Sequence, residues 1–216
     1  MKTATRLIVL NVTKIGETKA VVHALTSDFG RRSFIAGVSR RGAMTLFLPL
    51  NILDAEVTEN PRSDLWRLGA VTVTDPLSGI RGNLYKNTMT LFMSEVLYRT
   101  VRDEVYEEGL FDWCVKSIKA LDAIESDFSN FHLRFLLELA AALGFRPEAA
   151  DLAPFAGKYY AQVKDLVSLD FASSMLLPLS GESRNAIAEL LLQYLSRHTE
   201  SAINVQSLKV LRELYA

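Results

Sequence analysis

Lys19-Ala20-Val21-Val22-His23-Ala24-Leu25-Thr26, then Asp28-Phe29-Gly30, then Arg31-Arg32-Ser33-Phe34-Ile35-Ala36-Gly37 reads as a β-hairpin. The first run is rich in the branched residues that strands prefer. Gly30 can take the positive φ that a three-residue hairpin loop demands, and Gly37 ends the strand that follows. Upstream, Arg6 to Val12 has the same character and is set off by Gly16. Downstream, Leu50 to Thr58 and Leu65 to Val73 are two more candidate strands, separated by the polar loop Glu59-Asn60-Pro61-Arg62-Ser63-Asp64. Five short strands with turn signals between them and no helix-length insertion predict a small OB-type barrel.

The texture changes after Pro76. Tyr85, Thr88, Met89, Phe92, Val96 and Leu97 recur at three- and four-residue intervals, the mark of an amphipathic helix. Similar stretches run from about Glu108 to Ala123 and from Phe131 to Leu143, the latter stopped by Gly144 with Pro147 beyond. Ser183 is placed to cap a helix running to about Arg197, and Asn204 to cap one after it. From Phe155 to Leu179 the pattern suggests short helices and loops. The expected fold class is therefore α+β multidomain: a five-stranded OB-type β-barrel over residues 1–77, followed by an all-α helical domain over 78–216.

At 216 residues, 49% hydrophobic and 23% charged, the chain is an ordinary globular protein, not a disordered, collagenous or coiled-coil one. A chain of this size buries roughly 70% of its unfolded surface, so it needs no disulfide, and the single cysteine, Cys114, allows none within the chain. No apolar run approaches the ~20 residues of a membrane crossing, and Met1 to Arg6 lacks the apolar stretch of a secretory signal. A cytoplasmic protein without membrane contact is expected. The net charge of −1 conceals an asymmetry: residues 1–80 carry 10 basic and 7 acidic side chains, and the remainder 14 and 18. A polyanionic partner would meet the N-terminal part.

Catalytic patterns are missing. Gly37 and Gly42 have the glycine spacing of a phosphate loop, but Ala43 follows where lysine is needed. There is no Gly-x-Gly-x-x-Gly and no Gly-x-Ser-x-Gly elbow. His23, His132 and His198 are scattered, and His132 reads as a solvated or hydrogen-bonded side chain on the polar edge of a helix. Cys114, between apolar helical neighbours, reads as a buried, inert thiol. Asp103-Glu104 and Glu107-Glu108 resemble a helix end and a solvated face. No enzyme, cofactor or small-molecule substrate is expected.

The positive signal is cationic. Arg31, Arg32, Arg40 and Arg41 fall within eleven residues that contain no acid. Alternation puts Arg32 on one face with Phe34. Cations beside an aromatic on a barrel surface suit single-stranded nucleic acid, which offers phosphates and stacking bases. The same residues also fit a plainer role: edge-strand charges at 31 and 32, Phe34 in the core, and a solvated hairpin tip at 40 and 41. Lys14, Lys19, Arg62 and Arg67 could extend the basic patch.

The order of these segments resembles the RecO family of bacterial recombination mediators. Arg6-Leu7-Ile8-Val9-Leu10 is similar to that family's first strand, and Thr26-Ser27-Asp28-Phe29-Gly30-Arg31 to its Thr-Glu-x-x-Gly-Arg turn. Gly37-Val38-Ser39-Arg40-Arg41 looks like its glycine-plus-basic segment, and Leu48-Pro49-Leu50 like the approach to its next strand. Leu136-Leu137-Glu138 through Leu143-Gly144-Phe145 with Pro147 looks like its Leu-Gly-Tyr helix end, and Gln206 to Leu214 like its terminal helix. The resemblance implies a non-catalytic protein that binds single- and double-stranded DNA, anneals strands, and helps load RecA onto DNA coated by single-stranded-DNA-binding protein. It implies RecR and the C-terminal tail of the coating protein as partners. It carries DNA contact onto Arg31, Arg40 and Arg41, with Arg32 added from its own pattern. Arg134 is a candidate for the tail's carboxylates, set against a solvated helix face. Many family members hold a four-cysteine zinc site after the Leu-Gly-Tyr helix; here Glu148 to Lys158 contains no cysteine, so no metal is expected and Phe155, Tyr159 and Tyr160 would hold that region. The alternative to a DNA-handling protein is an OB-plus-helical interaction adaptor that touches no DNA.

Overall fold

The computed structural model describes residues 2–38 and 43–214. Its first part is a closed five-stranded barrel: β1 (Lys2–Ile15), β2 (Lys19–Thr26), β3 (Gly30–Gly37), β4 (Ile52–Thr58) and β5 (Leu65–Val73), in the order β1-β2-β3-β5-β4. β3 and β5 pair in parallel over Ser33–Ile35 and Leu65–Arg67, and the other neighbours are antiparallel. A 3-10 turn, Ala43–Phe47, leads into β4. The expected strands 6–12 and 31–36 thus sit within longer observed elements, and the expected strand 50–58 begins instead at Ile52. The largest difference is in β1, which is long because it must serve two partners.

Inward positions alternate as a pleated wall requires. Leu7, Val9, Val22, Ala24, Phe34, Leu53, Val57, Trp66 and Leu68 form the barrel core. Phe34 and Trp66 meet edge to face with ring centroids 6.4 Å apart, and Phe29 from the hairpin loop meets Trp66 at 5.2 Å. Arg32 does share a face with Phe34, and that face is the interior.

Helices follow: α1 (Ser78–Arg81), α2 (Leu84–Thr100), α3 (Leu110–Ala123), α4 (Phe131–Ala142), α5 (Ala149–Ala156), α6 (Tyr160–Ser168), α7 (Phe171–Met175), α8 (Gly181–Thr199) and α9 (Ser207–Leu214). The chain forms two compact units, Met1–Ser78 with Val101–Ile118, and Gly79–Thr100 with Lys119–Ala216. The unit that contains the barrel is therefore discontinuous in sequence, whereas the expected division at 77/78 treats the chain as two consecutive pieces. Within the first unit the Arg6 guanidinium lies 5.5 Å from the Phe111 ring centroid. Cys114 is buried there, and burial raises its pKa.

In the second unit α2 packs on α4, α8 and α9, and α8 packs on α4 and α5. Several local expectations are corrected. Ser180, not Ser183, is the N-cap of α8, accepting from the Ser183 N–H at 3.1 Å. α9 is capped from a distance: the Glu95 carboxylate on α2 accepts from the backbone N–H groups of Gln206 and Ser207 and from the Ser207 hydroxyl at 2.7–3.0 Å. Burial alone would raise the Glu95 pKa; the bonds from Ser207 and Gln206 and the charge of Arg99 hold it below its ordinary value. The 148–168 region is packed by Leu152, Ala156, Val163 and Leu166. Of the three aromatics expected there, Phe155 lies half-buried under the Arg197 guanidinium at 4.2 Å and Tyr160 is exposed. Tyr159 donates to Glu182 at 2.7 Å.

His132 is not solvated. It is 2% exposed, set edge-on to Phe92 at 5.9 Å. Burial, aided by the charge of Arg184, brings its pKa down from 6.5 to about 3, against an opposing bond to the Ser129 backbone. The unfolded chain takes up this proton near pH 6.5 and the folded one does not. The stability from this residue is complete above about 6.5 and falls towards pH 3, by up to about 1.4 kcal/mol per pH unit. Denaturant melts from pH 7 to 4 are expected to show a shallower loss for His132→Leu than for the native chain. Phe34→Ala is expected to cost about 3–5 kcal/mol in the same assay.

Candidate nucleic-acid interface

The start of β3 is built by its hairpin. Thr26 donates its hydroxyl to the Gly30 carbonyl at 2.8 Å and accepts from the Phe29 N–H at 2.9 Å. Hydroxyls of Ser27 and Thr5 donate to Asp28 at 2.6 and 2.7 Å and hold its carboxyl below the usual range. Gly30 has φ +66°, and a Cβ there would collide with the Val105 carbonyl, so this position needs glycine twice over.

Arg31 and Arg32 emerge from that turn on opposite faces, and both meet acids. Arg31 Nη2 lies 2.7 Å from Asp103 Oδ2, and Arg32 Nη1 lies 2.7 Å from Glu104 Oε1. Arg32 also sits 4.9 Å from the Trp66 ring centroid and donates from Nε to the Phe29 carbonyl at 3.2 Å. The arginine side chains are 12% and 19% exposed. Asp103 and Glu104 are therefore not a helix end; residues 102–109 are irregular, and they pair with β3 beyond the stretch that β5 occupies. The Glu104 N–H donates to the Arg31 carbonyl at 3.0 Å. At Arg31 and Arg32 the neighbour of β3 is not β5, which pairs only with Ser33–Ile35, but residues 103 and 104, so these arginines are not charges on an open strand edge.

Arg40 and Arg41 lie outside the described residues. The chain reaches them from Val38, whose N–H donates to the Thr18 carbonyl at 2.8 Å. Lys19, opposite Gly37, and Lys14, opposite Ala20, are exposed at that same end of the barrel. On the outer face, Thr13, Val21, Ile35 and Arg67 line one row across β1, β2, β3 and β5, and His23 and Ser33 lie in the next, joined Nδ1 to Oγ at 2.8 Å. Burial and then the charge of Arg31 keep His23 below its ordinary pKa, with Asp103 opposing. Arg62 is exposed in the β4–β5 loop. Lys14, Lys19, Arg62 and Arg67 are thus more exposed than the two arginines that open β3.

Arg134 does not face outward. Its Nε donates to Glu138 at 2.7 Å and its Nη1 to the Leu169 carbonyl at 2.6 Å, tying α4 to the end of α6. The second unit instead has a cleft of about 540 Å³ between α8 and α9, with Leu192, Ile203, Val205 and Leu208 beside Arg197 and Lys209. Where the resemblance would put zinc ligands, Asp151 accepts from the Glu148 N–H at 2.8 Å. No three His, Cys, Asp or Glu side chains among the described residues could hold a metal ion together, so that segment does not fit zinc.

Residues 1–77 match the family model described as Recombination protein O N terminal, and residues 81–153 the one described as Recombination protein O C terminal. A DNA repair protein RecO of Bacteroides fragilis is 34% identical over 170 residues, covering 77% of this chain and 68% of its own. The chain belongs to the RecO family of DNA repair proteins. The RecO of Phocaeicola vulgatus is 28% identical across 97% of both chains, and that of Flavobacterium psychrophilum 26% across the full length of both. Likeness to RecO proteins therefore runs through barrel and helices alike. In this RecO-family chain no helix among the described residues is long and apolar enough to cross a membrane.

Gly30→Ala in this chain is expected to cost at least about 1–2 kcal/mol for its left-handed backbone. It should also loosen residues 102–109, read as faster amide exchange there than in the rest of the barrel.

Proposed function

We propose that this chain is a non-catalytic mediator of DNA repair and recombination that binds single- and double-stranded DNA and anneals complementary strands. It helps load RecA onto DNA coated by single-stranded-DNA-binding protein. Membership of the RecO family along the whole chain carries this reading, and the closed OB-type barrel with its exposed cations supports it. OB barrels take oligonucleotides on the β2–β3 face between the β1–β2 and β4–β5 loops. Here that face carries Val21, His23, Ser33 and Ile35, with Lys14 and Lys19 at one loop, Arg62 at the other and Arg67 alongside. Arg40 and Arg41 are the two further cations of the proposed contact set.

The partner reading places the acidic, apolar tail of the coating protein in the α8–α9 cleft, where an apolar floor meets Arg197 and Lys209. RecR is the further partner. Holding strand and coating protein at once raises local concentration and favours handover. The ion pairs of Arg31 and Arg32 favour the adaptor reading to the extent that two of the four expected DNA contacts are already engaged, so the deciding measurement is direct. In fluorescence anisotropy with a labelled oligonucleotide, three or four neutralised phosphates give a slope of log affinity against log salt of about −2 to −3. Arg40→Glu with Arg41→Glu is expected to flatten that slope by about 1.4 or more. A slope near zero in the native chain, or unchanged affinity in the double variant, would leave the adaptor.

A further inference from the structure

Val101 and Leu110 are buried, and every residue between them is exposed. The intervening segment, Arg102-Asp103-Glu104-Val105-Tyr106-Glu107-Glu108-Gly109, has four carboxylates and one cation. It is pinned at both ends and crosses the start of β3 in between. There it is held by the Arg31–Asp103 and Arg32–Glu104 ion pairs and by the Glu104 N–H on the Arg31 carbonyl. The arginines are nearly buried under it, while Asp103 and Glu104 remain 59% and 49% exposed. A cleft of about 330 Å³ opens beside the pairs, lined by Arg31, Arg32, Ser33, Asp64, Asp103 and Glu104.

We propose that residues 102–109 are an internal stand-in for a nucleic-acid strand: Asp103 and Glu104 occupy a phosphate-binding site made by Arg31 and Arg32, and phosphates of single-stranded DNA displace them. The inference rests on the DNA-binding reading and deepens it. Its physical basis is the imbalance between the two sides. Arg32 is fixed by Trp66 and the Phe29 carbonyl and the Arg31 side chain is only 12% exposed, whereas the acids stand on an irregular segment that buries no side chain between its anchors. Ion pairs with so exposed a partner are weak and yield to salt and to competing anions. A polyphosphate brings several charges to one basic surface and gains from counterion release, which two isolated carboxylates do not. Arg31 and Arg32 are then DNA contacts only after exchange, and binding by the remaining cations draws the strand towards the site where exchange occurs. Gly30, in contact with the Val105 backbone, lets the segment lie this close when DNA is absent.

The test compares the native chain with Asp103→Asn/Glu104→Gln in anisotropy titrations of labelled oligo(dT) across a sodium chloride series. With the competitor neutralised, affinity at moderate salt is expected to rise about three- to tenfold. The log–log slope should steepen by up to about 1.4, the contribution of two further phosphates on a single strand. A second measurement needs no variant: amide exchange in the native chain, where oligo(dT) should speed exchange at Glu104 and its neighbours while slowing it on β2 and β3. Equal affinity and slope in both proteins, with exchange at 102–109 unchanged by DNA, would overturn the inference and leave the DNA-binding reading intact. Absence of binding by both proteins at every salt concentration would overturn that reading, and the inference with it.

Discussion

β1 runs for 14 residues because it closes the barrel, and the rest of the first unit depends on that closure. Its first half pairs with β4 and its second with β2, and the two registers overlap only at Leu7 and Ile8. One strand can turn from one neighbour to the other because the pairing skips Leu10, a bulge that bends the strand and tightens its twist. On the far side the short parallel ladder between β3 and β5 completes the ring. A ring of five strands has no lateral edges, and its interior is narrow enough for Phe34, Trp66 and a few aliphatic residues to fill. β5 covers only three residues of β3, so the beginning of β3 would stand open. That uncovered length is where residues 103 and 104 lie.

The helical unit shows another economy, in which single polar side chains organise several backbone ends. Asn130, almost fully buried, donates from its amide to the carbonyls of Ser174, Met175 and Leu177, gathering the end of α7 against the start of α4. Those bonds satisfy its Nδ2 donors, while its Oδ1 is buried without a hydrogen-bond partner among the described residues. Lys86 is likewise buried, reaching the Asp122 carbonyl at 2.9 Å with the Phe128 ring at 5.5 Å.

The features legible in the sequence were local ones. Gly30 marked the hairpin because its backbone requirement is its own, and the shift of apolar spacing after Pro76 marked the change from strands to helices because each period belongs to one element. The helix end at Gly144 was legible for the same reason. What escaped were relations between residues far apart. Nothing near Ser207 reveals that Glu95 will cap it. His132 looks like the polar edge of a helix until the neighbours on its other side are known, and then it is core. Asp103 and Glu104 carry ordinary surface chemistry, and only the fold brings them to Arg31 and Arg32. For the candidate site, the sequence shows a run of basic residues on β3 and just after it. It could not tell which guanidiniums were already answered within the molecule.

Glu95 and Ser207 are 112 positions apart. An eight-residue helix is too short to persist alone in water, so α9 forms against a surface already made by α2. During synthesis that surface stays open while the ribosome adds everything between α2 and α9, and the nascent chain carries this side of α2 uncovered over that interval.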